Sequence, residues 1–96
     1  MALQEPPVFA FAVYGPIVRD DLTGLCARIG GLLRASGADV AHCDVARVPP
    51  DAVTVDALAR LQLAARRFGC RIHLRNATPE LVHLVAFMGL EDVLPE

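Results

Sequence analysis

The sequence has no lysine and no tryptophan, and it has a single tyrosine. Its nine cations are therefore all arginine, they are spread over both halves of the chain, and the formal net charge is −2. Proteins that bind nucleic acid through its phosphates concentrate basic residues on one surface, and this chain does not. We therefore expect no nucleic-acid partner.

Long apolar runs are also missing. No stretch approaches the roughly 18 residues that span a bilayer, and residues 1–7 lack the basic segment of a signal peptide. These two absences predict a cytoplasmic protein without direct membrane insertion.

The motifs of common enzymes and cofactor sites are absent as well. There is no Ser-His-Asp set, phosphate-binding loop or C-x-x-C pair, so we expect neither an enzyme nor a bound cofactor. Cys26, Cys43 and Cys70 are odd in number and lie at no metal spacing. The three cysteines are therefore predicted to be reduced, partly buried core residues.

What is present is enough apolar material for one domain. A chain of 96 residues with 54% hydrophobic content can bury one core, which we place within residues 8–94 of a single domain covering residues 1–96. The apolar run Val8–Tyr14, ended by Gly15-Pro16, predicts a strand that is buried on both faces.

Alternating helix and strand patterns follow this first strand. Helical spacing begins at Leu22, a strand lies within residues 38–48, a helix runs from an Asp51 N-cap to Gly69, a strand covers residues 70–76, and a helix begins at Thr78-Pro79. A short Val93-Leu94 piece predicts a fourth strand at the sheet edge. The predicted order is β-α-β-α-β-α-β, an α/β domain with a four-stranded, mixed or mostly parallel sheet and three helices.

The C-terminal part has the most specific pattern, a strand followed by Asn76, Thr78-Pro79, a helix, Gly89-Leu90 and Val93-Leu94. This succession resembles the C-terminal half of STAS domains, which occur in bacterial anti-sigma factor antagonists and in some transporters. The resemblance extends over residues 8–94 and implies a STAS-like, protein-binding regulatory domain. STAS domains commonly begin with a hairpin, whereas only seven residues precede Val8, so the first strand of the hairpin is expected to be missing or reduced. The resulting free edge could be occupied by a partner or by a second copy, and the second case would be a homodimer.

The resemblance also locates a functional motif. In antagonist-type STAS domains, Asp-Ser-Ser-Gly-Leu opens the second helix, and its first serine is phosphorylated by the anti-sigma kinase. Counting back from Gly69 aligns this motif with Asp51-Ala52-Val53-Thr54-Val55, and a second alignment, through Asp56, places Ala57 at the acceptor position. Neither alanine carries a hydroxyl. The resemblance therefore implies a binding module that is not controlled by phosphorylation at the usual position, with Thr54 as the candidate for a displaced phosphoacceptor.

The partner surface implied by the resemblance consists of Asp44, Asp51, Ala52, Val53, Thr54, Val55 and Asp56. The expected partner is an anti-sigma factor or a related kinase-like regulator. Two alternatives remain: docking on the ATPase of an ABC-type (lipid) transporter, and a nucleotide or small ligand held at the strand ends. The aspartates could also serve a metal or acid/base site. Because no histidine or second acid lies at ligand spacing, we expect no metal.

The histidines and the arginine cluster have simpler interpretations. His42, His73 and His83 are predicted to lie in two strands and a helix, and His42 and Cys43 point to opposite faces of their strand, which excludes a shared zinc ion. The densest basic cluster is Arg66, Arg67, Arg71 and Arg75. This cluster either meets an acidic partner or forms a solvated surface.

Overall fold

The computed structural model describes residues 8–96. Its elements, in chain order, are β1 (Val8–Tyr14), a single 3-10 turn (Arg19–Asp21), α1 (Leu22–Ser36), β2 (Val40–Arg47), α2 (Ala52–Arg67), β3 (Arg71–Arg75) and α3 (Pro79–Phe87). The predicted alternation of strands and helices is therefore confirmed as far as α3.

Local signals explain where the helices begin and end. Asp51 accepts a hydrogen bond from the Thr54 backbone N–H at 2.8 Å and caps α2. Thr78 caps α3 in the same way through the Leu81 N–H at 3.2 Å, with Pro79 as the first helical residue. Gly69 and Gly89 follow the ends of these helices with φ of 74° and 73°. Glycine occupies this left-handed conformation without steric cost, which is why it ends helices.

The three strands form one parallel sheet in the order β1-β2-β3. One helix connects each pair of neighbouring strands, α1 between β1 and β2 and α2 between β2 and β3. The prediction of a four-stranded, mixed or mostly parallel sheet is wrong: residues 8–96 contain three strands, all parallel. The α/β class itself is confirmed.

The predicted fourth strand, Val93-Leu94, is instead a turn whose backbone N–H groups both donate to the Leu90 carbonyl. The physical reason lies at the outer edge of β3, where the buried side chain of Gln62 takes the place of a strand. Its Oε1 accepts from the Ile72 N–H at 2.7 Å, and its Nε2 donates to the Ile72 carbonyl at 2.8 Å. The tail contributes one backbone contact, from Leu74 N–H to the Pro95 carbonyl at 2.8 Å.

The core lies on one face of the sheet. Alternate residues of β2 and β3 are buried there, and side chains of all three helices pack against them: Leu33, Ala41, Cys43, Val45, Leu58, Leu61, Ile72, Leu74, Leu81 and Val85 belong to this cluster. The opposite face is open, because Ala10, Ala12 and Tyr14 are exposed. The prediction that β1 is covered on both faces is therefore wrong. An apolar run does not distinguish core residues from alanines, which are small enough to tolerate solvent.

The prediction that the first strand of a hairpin is missing falls on residues 1–7, which lie outside the described residues.

Candidate functional site

The carboxyl ends of the parallel strands bring several polar side chains together. β2 carries His42 and Asp44 on the open face, and β3 ends with Arg75, which stands opposite Asp44 in the strand register. Tyr14 lies at the end of β1, and the Arg47 guanidinium lies over its ring. The distance from Arg47 Cζ to the centroid of the Tyr14 ring is 6.0 Å. Because all strands run in one direction, residues that end different strands meet at one edge of the sheet.

Asp44, the first predicted site residue, is held by two hydrogen bonds at this edge. Its Oδ1 accepts from the Ala46 backbone N–H at 2.9 Å, and its Oδ2 accepts from Asn76 Nδ2 at 3.1 Å. Asn76 adopts a positive φ of 59°, a conformation that asparagine tolerates better than most residues. The carboxylate is therefore held by the last residues of β2 itself and by the residue that follows the neighbouring strand β3.

The start of α2 carries most of the other predicted residues. The diproline Pro49-Pro50 ends the segment after β2, Asp51 caps the helix, and Ala52 is its first residue. Asp51 and Ala52 are exposed and Val53 is partly buried. These three residues therefore form an accessible surface next to the carboxyl end of β2.

Thr54 and Val55 belong to the core instead. Thr54 is 1% exposed, and no atom within residues 8–96 is placed to hydrogen-bond with its Oγ1. A kinase cannot reach this hydroxyl unless the start of α2 opens, so the use of Thr54 as a displaced phosphoacceptor stays a prediction that requires such opening. Val55 is fully buried in the same core.

Asp56 lies on a different surface from Asp44. Its Oδ2 accepts from Arg60 Nε at 3.0 Å on the same helix. Both residues line an open groove of about 450 Å³ between α1 and α2, together with Cys26, Leu63 and Arg67. The predicted partner surface thus divides into a strand-end part with Asp44, a helix-start part with residues 51–53, and Asp56 in the groove between α1 and α2.

A second set of contacts at the strand ends was not predicted. Arg75 Nη2 lies 3.1 Å from His42 Nε2, and these two residues line a shallow concavity of about 470 Å³ with Ala10, Ala12, Asp44 and Asn76. We call it the strand-end concavity. The period of two along β2 places His42 and Asp44 on one face, but only the pairing of β2 with β3 shows that Arg75 joins them.

The arginine cluster predicted from the sequence is divided by the fold. Arg66 and Arg67 lie in the last turn of α2, whereas Arg71 and Arg75 lie on the open face of β3. All four are exposed.

The cysteine thiols are held in their neutral form. Burial raises the pKa of Cys43 to about 12, with a smaller contribution from the charge of Asp44. Burial also raises the pKa of Cys26 and of Cys70. A thiol with a raised pKa is a poor nucleophile and a poor metal ligand. His42 and Cys43 indeed lie on opposite faces of β2, and the described ranges bring no three His, Cys, Asp or Glu side chains together around a metal position.

An open parallel sheet with helices on one face, and with polar residues gathered where the strands end, defines this protein as an α/β domain. No protein-family model and no curated protein matches the chain. Among solved structures, a sulfate transporter family protein from Wolinella succinogenes is similar, with a TM-score of 0.65 and 23% identity over 95% of this chain and 75% of that chain. The likeness is one of fold, and it supports a STAS-like architecture.

Between residues 8 and 96, no helix combines the length and the apolar character needed to cross a bilayer.

Proposed function

We propose that this domain is a non-enzymatic regulatory module that binds another protein, in the manner of an anti-sigma factor antagonist, without phosphorylation control at the usual site. The observation that supports it is the start of α2. Ala52 is exposed there as the first helical residue, next to the capping Asp51. In the alignment through Asp51, a methyl group therefore occupies an accessible position that corresponds to the phosphoacceptor, whereas Ala57 of the second alignment is buried.

The consequence of this methyl group is electrostatic. A phosphate would add nearly two negative charges and several hydrogen-bond acceptors to the helix start, and could thereby switch an interface on or off. With alanine at this position, the surface formed by Asp44, Asp51, Ala52 and Val53 keeps one charge state. The proposed partner is an anti-sigma factor or a related kinase-like regulator, and binding to it would be constitutive.

The test is a titration of the purified protein with the purified anti-sigma factors of the same organism, measured by calorimetry. Ala52→Glu places a long, charged side chain in the proposed interface, and it should weaken binding by roughly tenfold or more, because burying an unpaired charge costs free energy. Ala35→Glu, at an exposed position of α1, is the matched control and should bind like the parent. Absence of binding to every anti-sigma factor, or equal affinity of the two variants, would contradict the proposal.

A second candidate is docking on the ATPase of an ABC-type transporter. The fold is similar to that of a sulfate transporter family protein, which is why a transport partner is the alternative to an anti-sigma factor. The same calorimetric titration with the ATPase components of that organism separates the two candidates. Binding to an ATPase that is weakened by Ala52→Glu and not by Ala35→Glu would replace the anti-sigma factor as the partner.

Self-association through β1 is part of the same proposal. β1 is at one edge of the described sheet, and an unpaired strand edge is a template for a second strand. Sedimentation velocity over a range of concentrations measures it. A monomer at the highest concentration would remove the homodimer.

A further inference from the structure

Arg75 and Asp44 are opposite each other in the register of β2 and β3, yet they do not form an ion pair. Both Asp44 oxygens accept hydrogen bonds from other donors, the Ala46 N–H and the Asn76 amide. Within residues 8–96, the ion pair found within 4.0 Å is Arg60–Asp56. The Arg75 guanidinium therefore carries a charge that no carboxylate of the described residues contacts.

His42 holds this guanidinium in place. A guanidinium has only donors, so the contact of 3.1 Å between Arg75 Nη2 and His42 Nε2 requires Nε2 to accept, with the ring proton on Nδ1. His42 is partly buried between the neighbouring strands, which restricts its ring. One N–H group of Arg75 is used in this contact, and the others remain available as a planar fork.

The surroundings of Arg75 leave room for a ligand. Ala10 and Ala12 of β1 face the strand-end concavity, and their methyl groups are too small to fill it. Asn76 lines the same concavity, and it uses one N–H of its amide on Asp44, which leaves the second N–H free to donate. Donors thus lie on one side of an open space of about 470 Å³.

We propose that the strand-end concavity binds an oxyanion, a phosphate or a carboxylate group, through the guanidinium of Arg75. Planar bidentate contacts to these groups are what arginine provides best. Asn76 is the second donor, and His42 is a positioning residue that aims the guanidinium. The concavity is open to solvent, so the oxyanion is either free or the end of a larger ligand such as a nucleotide. This inference is independent of the protein-binding proposal.

The nearby carboxylate of Asp44 should lower the affinity of the concavity for an oxyanion. Asp44 lines the same concavity and would repel a bound oxyanion, although two donors already neutralise part of its charge. Removing that charge by Asp44→Asn should therefore strengthen oxyanion binding. Diffuse electrostatic attraction of anions would change with the same signs, so the evidence for a site is that Arg75→Ala weakens binding far more than Arg71→Ala, which removes an equal charge from the same strand.

The experiment is an NMR titration of the ¹⁵N-labelled protein with inorganic phosphate, acetate and AMP, each compared with sodium chloride at equal ionic strength. The expected result is saturable shifts of the Arg75 Nε–H and Asn76 side-chain signals. Arg75→Ala should weaken binding roughly tenfold or more, as the loss of a charged hydrogen-bond donor does. Arg71→Ala is the matched control, since Arg71 lies on the same face of β3 about 13 Å away and should bind like the parent.

The role of His42 is tested by two substitutions. His42→Gln keeps an acceptor near Nε2 and should retain most of the affinity, whereas His42→Leu removes the acceptor and should lose several-fold. In the free protein, the Arg75 Nε–H signal should broaden or shift in His42→Leu but not in His42→Gln. Thermal unfolding of every variant checks that the fold is intact.

Each result of the titration supports or overturns the site. Binding of acetate and phosphate alike indicates a general oxyanion site, and much tighter binding of AMP indicates that the oxyanion belongs to a nucleotide. Shifts that persist unchanged in Arg75→Ala, or no shift beyond the sodium chloride control with any of the anions, would overturn the proposal. Neither result would bear on the titrations with anti-sigma factors.

Discussion

Gln62 is the residue whose replacement should reveal how the sheet edge is closed. It is 1% exposed, and its amide makes three hydrogen bonds: from the Ile72 N–H at 2.7 Å, to the Ile72 carbonyl at 2.8 Å and to the Val93 carbonyl at 2.8 Å. Leucine has nearly the same helix propensity and a similar volume, so Gln62→Leu removes these bonds without disturbing α2 itself. The variant therefore isolates the contribution of the amide.

The expected loss of stability follows from the groups left behind. Two buried backbone groups of Ile72 lose their partner, at about 2 kcal/mol each, because a buried unsatisfied donor or acceptor is costly. The Val93 carbonyl lies at a partly exposed position and can turn to water. Burial of leucine in place of the amide returns about 1 kcal/mol. The net expectation is a loss of about 3 kcal/mol, a large share of the stability of a domain of this size.

Urea unfolding followed by circular dichroism measures this loss as a lower midpoint at constant slope. Hydrogen exchange gives the local signature, since the Ile72 amide should lose more protection than the amides of β1. Leu63→Ala, at the exposed neighbouring position of α2, is the control and should change the free energy of unfolding by less than about 0.5 kcal/mol. A loss below about 1 kcal/mol in Gln62→Leu, or unchanged protection at Ile72, would refute the reasoning.

Three further predictions concern local structure. Gly31→Ala should stabilise the protein by up to about 1 kcal/mol in urea unfolding, because nothing lies within 4 Å of the added Cβ, whereas at Gly30 the Cβ would meet the Phe68 ring at 2.9 Å and the gain should shrink or vanish. Equal gains would contradict this. Thr78→Ala removes the cap of α3 and should cost about 1 kcal/mol by the same assay, while Thr78→Ser should not. The raised pKa of Cys43, about 12 against an ordinary 9.0, keeps the folded state protonated while the unfolded state ionises. Stability should therefore fall as the pH rises from about 9 towards 12, and Cys43→Ala should flatten that fall; an unchanged slope would contradict it.

The local signals of the sequence were sufficient for most of the fold. Asp51 and Thr78 were predicted as helix caps, and both are confirmed by a hydrogen bond to a backbone N–H three residues later. Gly69 and Gly89 were predicted to end helices, and both have positive φ. These features depend on residues within one or two turns of the chain, which is why sequence patterns reveal them.

The candidate site was predicted less completely, because its contacts join distant parts of the chain. Asp44 was named from the resemblance, but its contact with Asn76 spans 32 positions. The contact between Arg75 and His42 spans 33 positions and depends on the register of β2 with β3. Threonine is common in the first turn of a helix, and only the packing of Thr54 shows that its hydroxyl is buried.

Residue identity and local propensity are enough to predict the α/β class and the order of elements through α3, and they show that Ala52 carries no hydroxyl. Strand pairing and helix packing join distant parts of the chain, and only they show that the described sheet has three parallel strands and one open face, and that a glutamine side chain closes the outer edge of β3. A hydrogen bond that Gln62 can make to any exposed strand edge becomes specific only when packing of α2 brings the amide against Ile72. The same holds for Arg75, which strand pairing places beside His42 and which no carboxylate of the described residues contacts.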